Sequence, residues 1–146
     1  MDRKKLRLNG FDYSTNGAYF ITLCTKNKKC ILSSIVKSGY YSYPKVQLTK
    51  IGNTVKKYLD NIPGITYYVI MPNHIHLIVE KENITNSVLS NDIRSFKTLV
   101  TKKVGFQIWQ RGFYDHIIRN NYDYNIRLQY IYDNPIKWCE DKYYCE

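Results

Sequence analysis

Long apolar runs are missing from this chain of 146 residues. The longest, Tyr67 to Met71, falls far short of the roughly 20 residues that cross a bilayer, so no membrane span, and no membrane partner on that ground, is expected. The basic start, Met1 to Arg7, leads into Leu8-Asn9-Gly10-Phe11-Asp12 rather than an apolar segment. No signal peptide is therefore expected, and the expected address is cytoplasmic. Internal repeats, low-complexity tracts and Pro/Gly linkers are also lacking, and residues 1–146 read as a single domain. None of the Gly-rich phosphate loops occurs. Cysteines are few. Cys24, Cys30, Cys139 and Cys145 fall into two C-x5-C pairs, not the C-x2-C knuckles of structural zinc sites, so free thiols are expected.

Acidic residues are scarce as well: 12 Asp+Glu stand against 22 Lys+Arg, a formal charge of +10. That balance on a small domain points to a polyanion, nucleic acid first and an anionic membrane surface second. The chain holds 15 tyrosines. Aromatic faces beside cations suit the unstacked bases of single strands. The plainer alternative is that lysines keep a tyrosine-rich surface soluble. With 44% hydrophobic residues, intrinsic disorder is excluded, because the chain has enough apolar surface to offset ordering entropy. Its length allows a core without disulfide or metal staples.

Ala18 to Cys24 has the β-branched and aromatic content of a strand. Lys26 to Lys29 reads as a charged turn, and Tyr40 to Val46 as a short edge strand or irregular arm, since Pro44 cannot donate to a ladder. Leu48, Ile51, Val55 and Leu59 then recur at helical spacing. Gln47 or Thr49 is expected to open this helix and Pro63-Gly64 to end it. Ile65 to Ile70 and Asn73 to Lys81 read as two strands hinged at Met71-Pro72. A second helix is expected over Val88 to Val104, with Leu89, Ile93, Phe96 and Val100 on one face, Arg94, Lys97 and Thr101 on another, and Gly105 as its stop. Trp109 to Arg119 reads as extended, and Tyr122 to Asp133 as a third helix halted by Asn134-Pro135. The order of the first six elements predicts an α+β class: a ferredoxin-like antiparallel sheet with two helices on one face. A C-terminal helix is left over.

The sharpest local feature is His74-Ile75-His76. Residues two apart on a strand share a face, so both imidazoles would stand together while Ile75, Leu77 and Val79 enter the core. Two neutral ring nitrogens so placed can take adjacent positions around one divalent ion. A pair of surface histidines on a sheet is the alternative. On the third helix, Tyr124, Leu128 and Ile131 form a narrow apolar stripe. Tyr130 lies off it, on a face shared with Asp123, Arg127 and Asn134. Composition alone gives Tyr130 no precedence over the other surface tyrosines.

Three blocks carry a resemblance: Met71-Pro72-Asn73-His74-Ile75-His76, the stretch Trp109 to Arg119 (WQRGFYDHIIR), and Tyr130-Ile131-Tyr132-Asp133-Asn134-Pro135. In this order and spacing the chain resembles the single-tyrosine HUH transposases, and more narrowly the REP-associated tyrosine transposase branch. Gly17 to Thr22 and Ile93 to Lys97 are also similar, so the likeness spans nearly the whole chain. The resemblance implies that His74 and His76 bind Mg²⁺ or Mn²⁺, with Asn134 completing the set where insertion-sequence relatives usually carry Gln. It implies that Tyr130, on the C-terminal helix, is the nucleophile that nicks single-stranded or hairpin DNA with imperfect palindromes. Attack leaves a 5′-phosphotyrosine and a free 3′-hydroxyl, and another strand's hydroxyl can reverse the step. Both a monomer and a homodimer with the tyrosine helix supplied in trans remain open.

Arg94, Lys97, Lys102, Lys103, Arg111, Arg119 and Arg127 are the candidate contacts to backbone phosphates. Tyr114, with Trp109 and Phe113, is a candidate for stacking on unpaired bases, though Trp109 and Phe113 equally suit a core. His116 could support the metal or touch a phosphate, or be structural. Two other readings stay open: a domesticated hairpin-DNA-binding module that no longer cleaves, and an RNA-binding ferredoxin-like domain. The second expects an aromatic and Gly pattern on the central strands that Ala18–Cys24 and Asn73–Glu80 do not supply.

Overall fold

The central strands of this chain bury side chains on both of their faces. The computed structural model describes residues 16–37, 43–138 and 144. The elements are β1 (Asn16–Cys24), β2 (Ser33–Val36), β3 (Lys45–Leu48), α1 (Lys50–Leu59), β4 (Ile65–Ile70), β5 (His74–Glu82), α2 (Asn86–Val104), β6 (Tyr114–Ile118) and α3 (Asn121–Asp133). The main sheet runs β4-β5-β1-β6, and every neighbouring pair is antiparallel. β5 thus separates β1 from β4, and β1 separates β5 from β6, which is the split βαβ arrangement. The expected ferredoxin-like α+β fold is the observed one.

Alternation along the central strands builds two cores. Tyr19, Ile21 and Leu23 of β1 and Ile75, Leu77 and Val79 of β5 pack with Val55 and Leu59 of α1 and Leu89, Ile93, Phe96 and Val100 of α2. The intervening residues Ala18, Phe20 and Ile78 face the opposite way and pack with Tyr124, Leu128 and Ile131 of α3 and with Trp138. α1 and α2 therefore lie on one face, and α3 on the other.

Element boundaries depart from the sequence reading in ways with local causes. Leu48 belongs to β3, not to the first helix, and Thr49 is the N-cap, its side chain accepting from the Gly52 N–H at 3.0 Å. α1 ends at Leu59 instead of running to Pro63-Gly64. There the chain tightens: Asn61 N–H bonds Tyr58 O and Ile62 N–H bonds Leu59 O, both at 3.1 Å, and Ile62 turns into the core. β2 was not expected. Its sequence, Ser33-Ser34-Ile35-Val36, has no alternation of polar and apolar residues, and the strand pairs with β3, just after Pro44. Only Tyr114–Ile118 of the extended stretch is a strand, because Gly112 at φ 78° turns the chain and Trp109 forms an isolated bridge to Thr25. α2 starts at Asn86, two residues before Val88, because Thr85 caps the Val88 N–H; Gly105 at φ 97° ends it as expected. Cys24 forms no disulfide, but Cys30 is disulfide-bonded, which corrects the free-thiol expectation there: chain spacing does not report which thiols the fold brings together. The sequence readings for residues 1–15, 38–42, Cys139 and Cys145 lie outside the described residues. Among the described residues no helix is long and apolar enough to cross a membrane.

One close approach locks α1 to the rest. A Cβ built on Gly52 would sit 1.9 Å from the Leu32 carbonyl oxygen, which also accepts from the Thr49 N–H at 3.1 Å. Gly52→Ala must push backbone aside, and is expected to cost about 1–3 kcal/mol in urea unfolding. An unchanged midpoint would show that this approach is not tight.

Candidate histidine–tyrosine site

β5 places His74 and His76 on the α3 face of the sheet, as their spacing predicts. Both are buried, and their ring centroids are 4.7 Å apart. Burial of a polar ring demands a partner. Asn73 supplies one: its Oδ1 lies 2.9 Å from His74 Nδ1, while its Nδ2 donates to Lys28 O at 3.3 Å. Thr22, paired opposite His76 in the β1–β5 register, supplies the other, with Oγ1 at 2.8 Å from His76 Nδ1. Each ring is thus held through Nδ1, which directs Nε2 to the far side. Thr22→Val keeps the shape but removes this buried partner, and is expected to lower stability by about 1–3 kcal/mol. A cost below a few tenths in denaturant titration would mean that Thr22 does not hold the ring.

α3 delivers the remaining parts. Tyr124, Leu128 and Ile131 are buried as the stripe predicts, which turns Tyr130 towards the histidines. Its ring centroid is 5.0 Å from that of His76 and 6.0 Å from that of Phe20. Tyr130 stays 40% exposed, so a strand of another molecule has access to it. Asn134, one turn on, is buried. Its Nδ2 donates to Tyr130 O at 2.9 Å, and its Oδ1 faces His74 Nε2 at 3.4 Å. The four residues His74, His76, Tyr130 and Asn134 are therefore brought together.

Phe20 and Asp123 extend the site, and the sequence reading gave neither a role. Phe20 stacks on His76 with centroids 5.2 Å apart, and the Arg127 guanidinium lies over its ring at 5.2 Å. Asp123 accepts from Arg127 Nε at 3.4 Å and pairs with His116 Nε2 at 2.7 Å. His116 thereby ties β6 to α3. Strand alternation could have flagged Phe20 and Thr22, but their register against His76 is a tertiary fact.

The other cations lie elsewhere. Lys97, Lys102 and Arg111 line an open groove of about 1050 Å³ beside α2, joined by Lys26 and Lys28 of the charged turn. Arg94 lines a smaller cleft next to it with Lys97, Arg111 and Phe113. Arg94, Lys97 and Lys102 sit on α2, which covers the other face of the sheet, and Arg111 lies in the loop that follows it. Lys97 donates to the carbonyls of Gln110 and Gly112, and burial pushes its ammonium below the usual lysine range. It staples the loop before β6. Lys103 and Arg119 are exposed, and Tyr114 is 56% exposed. Trp109 is a core residue against Phe96, with centroids 5.6 Å apart, which removes it from stacking, and Phe113 is partly buried against the same core.

A split βαβ sheet with a histidine pair on a central strand, faced by a tyrosine on a helix across it, is the layout that the resemblance to single-tyrosine HUH domains implies. An uncharacterized protein of Haemophilus influenzae is 34% identical, with 99% of this chain and 94% of that protein covered. The REP-associated tyrosine transposase of Escherichia coli K12 is 29% identical, with 86% of this chain and 70% of that protein covered. The solved structure of a REP-associated tyrosine transposase bound to a REP hairpin superposes with a TM-score of 0.60 at 25% identity, covering 92% of this chain and 74% of that one. No family model matches the chain. The chain is similar to the REP-associated tyrosine transposases over most of its length.

Proposed function

We propose that this protein nicks and rejoins single-stranded or hairpin DNA through Tyr130. The observation that carries the reading is the meeting of a partly exposed Tyr130 with two buried, Nδ1-anchored histidines. In the step, Tyr130 Oη attacks the phosphorus of a phosphodiester. An O–P bond to the tyrosine forms, and the bond to the 3′-oxygen breaks. The phenol proton is lost, and the departing oxygen takes one up to become a free 3′-hydroxyl. The product is a 5′-phosphotyrosine, which the 3′-hydroxyl of another strand can attack in reverse. One phosphodiester replaces another, so no external energy source enters. The structurally similar transposase is bound to a REP hairpin, and the +10 charge of this chain suits the same class of ligand.

Mg²⁺ or Mn²⁺ fits the donor set. His74 Nδ1 donates to Asn73 Oδ1, so a neutral ring keeps its lone pair on Nε2, where it meets the Asn134 amide oxygen. Two acceptors facing one another suit a cation. His74 and His76 through Nε2, with Asn134 through Oδ1, would hold it. Two neutral imidazoles and an amide oxygen make the set uncharged, and no cluster of three or more His, Cys, Asp or Glu that could hold a metal occurs among the described residues. The DNA phosphate brings the balancing charge. When bound, the ion polarises the phosphate and offsets charge in the transition state. Arg127, held by Asp123 and Phe20, offers a second positive charge beside Tyr130.

Incubation with hairpin-bearing single strands and Mn²⁺ is expected to give a covalent protein–DNA adduct that peptide mapping assigns to Tyr130. Hairpin binding without an adduct under any divalent metal would instead define a non-cutting DNA-binding module. An adduct on Tyr124 or Tyr132 would move the nucleophile.

A further inference from the structure

A second pocket adjoins the site on the same face of the sheet, and nothing above gives it a role. It encloses about 680 Å³ between β3, β4 and the end of α3, within the range of small-ligand sites. Tyr43, Tyr67 and Tyr132 supply its aromatic walls, Lys45 lies on its lining, and Val69 and Ile131 form the side nearest Tyr130. The continuity is covalent and in register. Val69 pairs directly with His76 across the β4–β5 ladder, and Ile131 follows Tyr130 in the chain. Tyr43 is 61% exposed and open to an incoming ring.

We propose that this pocket holds an unstacked nucleobase of the DNA strand whose phosphodiester lies at Tyr130. The inference rests on the nuclease reading and adds to it where a neighbouring base goes. Three phenol rings offer flat apolar faces, which any base can stack on, while their hydroxyls tolerate water at the rim. Lys45 gives the attached phosphate a counter-charge. A strand passing from His76 to Val69 moves one strand along the sheet, and its base leaves the sheet surface into the tyrosine-lined space. The pocket's aromatic lining and its proximity to the reacting group favour this occupant over a free apolar ligand, which would leave Lys45 unused.

The probe is a short single strand of 5-iododeoxyuridine, whose base crosslinks on irradiation to an aromatic ring it stacks on. With the full chain and no divalent metal, mapping is expected to find crosslinks on Tyr43, Tyr67 or Tyr132. Tyr43→Ala/Tyr132→Ala is expected to weaken binding of this strand about 10-fold. An abasic strand of equal length should bind the variant as tightly as the parent, with the salt slope unchanged. Tyr43→Phe/Tyr132→Phe keeps the rings and should keep the parent affinity, which separates lost stacking from lost folding. Crosslinks confined to other residues, or an equal loss on the abasic strand, overturn the proposal. Failure of the pocket with an adduct still formed at Tyr130 leaves the nuclease reading standing. Crosslinks here without an adduct do the reverse.

Discussion

Tyr130→Phe is expected to bind hairpin DNA as the parent does and to form no covalent adduct. The hydroxyl is the only atom removed, and the ring contacts to His76 and Phe20 need only the carbons. An exposed, ring-conserving change of this kind shifts folding or binding by about 0.5 kcal/mol at most, roughly twofold in affinity. Loss of an enzyme's nucleophile, by contrast, lowers rate on the order of 10⁶-fold, which takes strand cleavage below detection. The two readouts must therefore part company. Denaturing gels score the adduct, and fluorescence anisotropy scores binding on the same preparation. Cleavage that survives in Tyr130→Phe would sink the assignment. Equal loss of both would point to a binding residue.

Leu128→Ala should be the costliest single change to the tyrosine helix. Leu128 is fully buried between Phe20, Ile78 and the Tyr124 and Ile131 of its own helix. Truncation removes transfer free energy and leaves a cavity the sheet cannot close, since β1 and β5 are fixed from the other side by α1 and α2. The expected cost is about 2–5 kcal/mol. Urea unfolding measures it, and adduct yield should fall with it because Tyr130 loses its seat. A cost under about 1 kcal/mol would show that α3 does not dock through this residue. Leu128→Met, which nearly conserves volume, should retain most stability and most adduct.

Legibility in the sequence followed locality. The stripe Tyr124, Leu128, Ile131 set the rotation of α3, so the direction of Tyr130 could be read from helical period alone. The same holds for His74 and His76, whose shared face follows from strand alternation. What failed was pairing between distant segments. Thr22 anchors the His76 ring from 54 residues away and has no local signature, whereas Asn73 stands next to the His74 it holds. β2 was invisible because its order comes from β3. Lys97 reads like any helix-surface cation, and only the return of the 110–112 loop shows that its donors are taken by backbone carbonyls. Charge counts placed cations in the sequence but could not sort them between the two faces of a sheet.

That sorting has a thermodynamic consequence. The core under α1 and α2 and the core under α3 share only the sheet between them, so they are separate units for local unfolding. Release of α3 exposes one small core and leaves the other intact. Amide hydrogen exchange should then show α3 opening at a lower free energy than β1 and β5. Presentation of Tyr130 becomes a population rather than a fixed geometry, and a strand lying across both Tyr130 and the histidines would raise that population by binding the closed form alone.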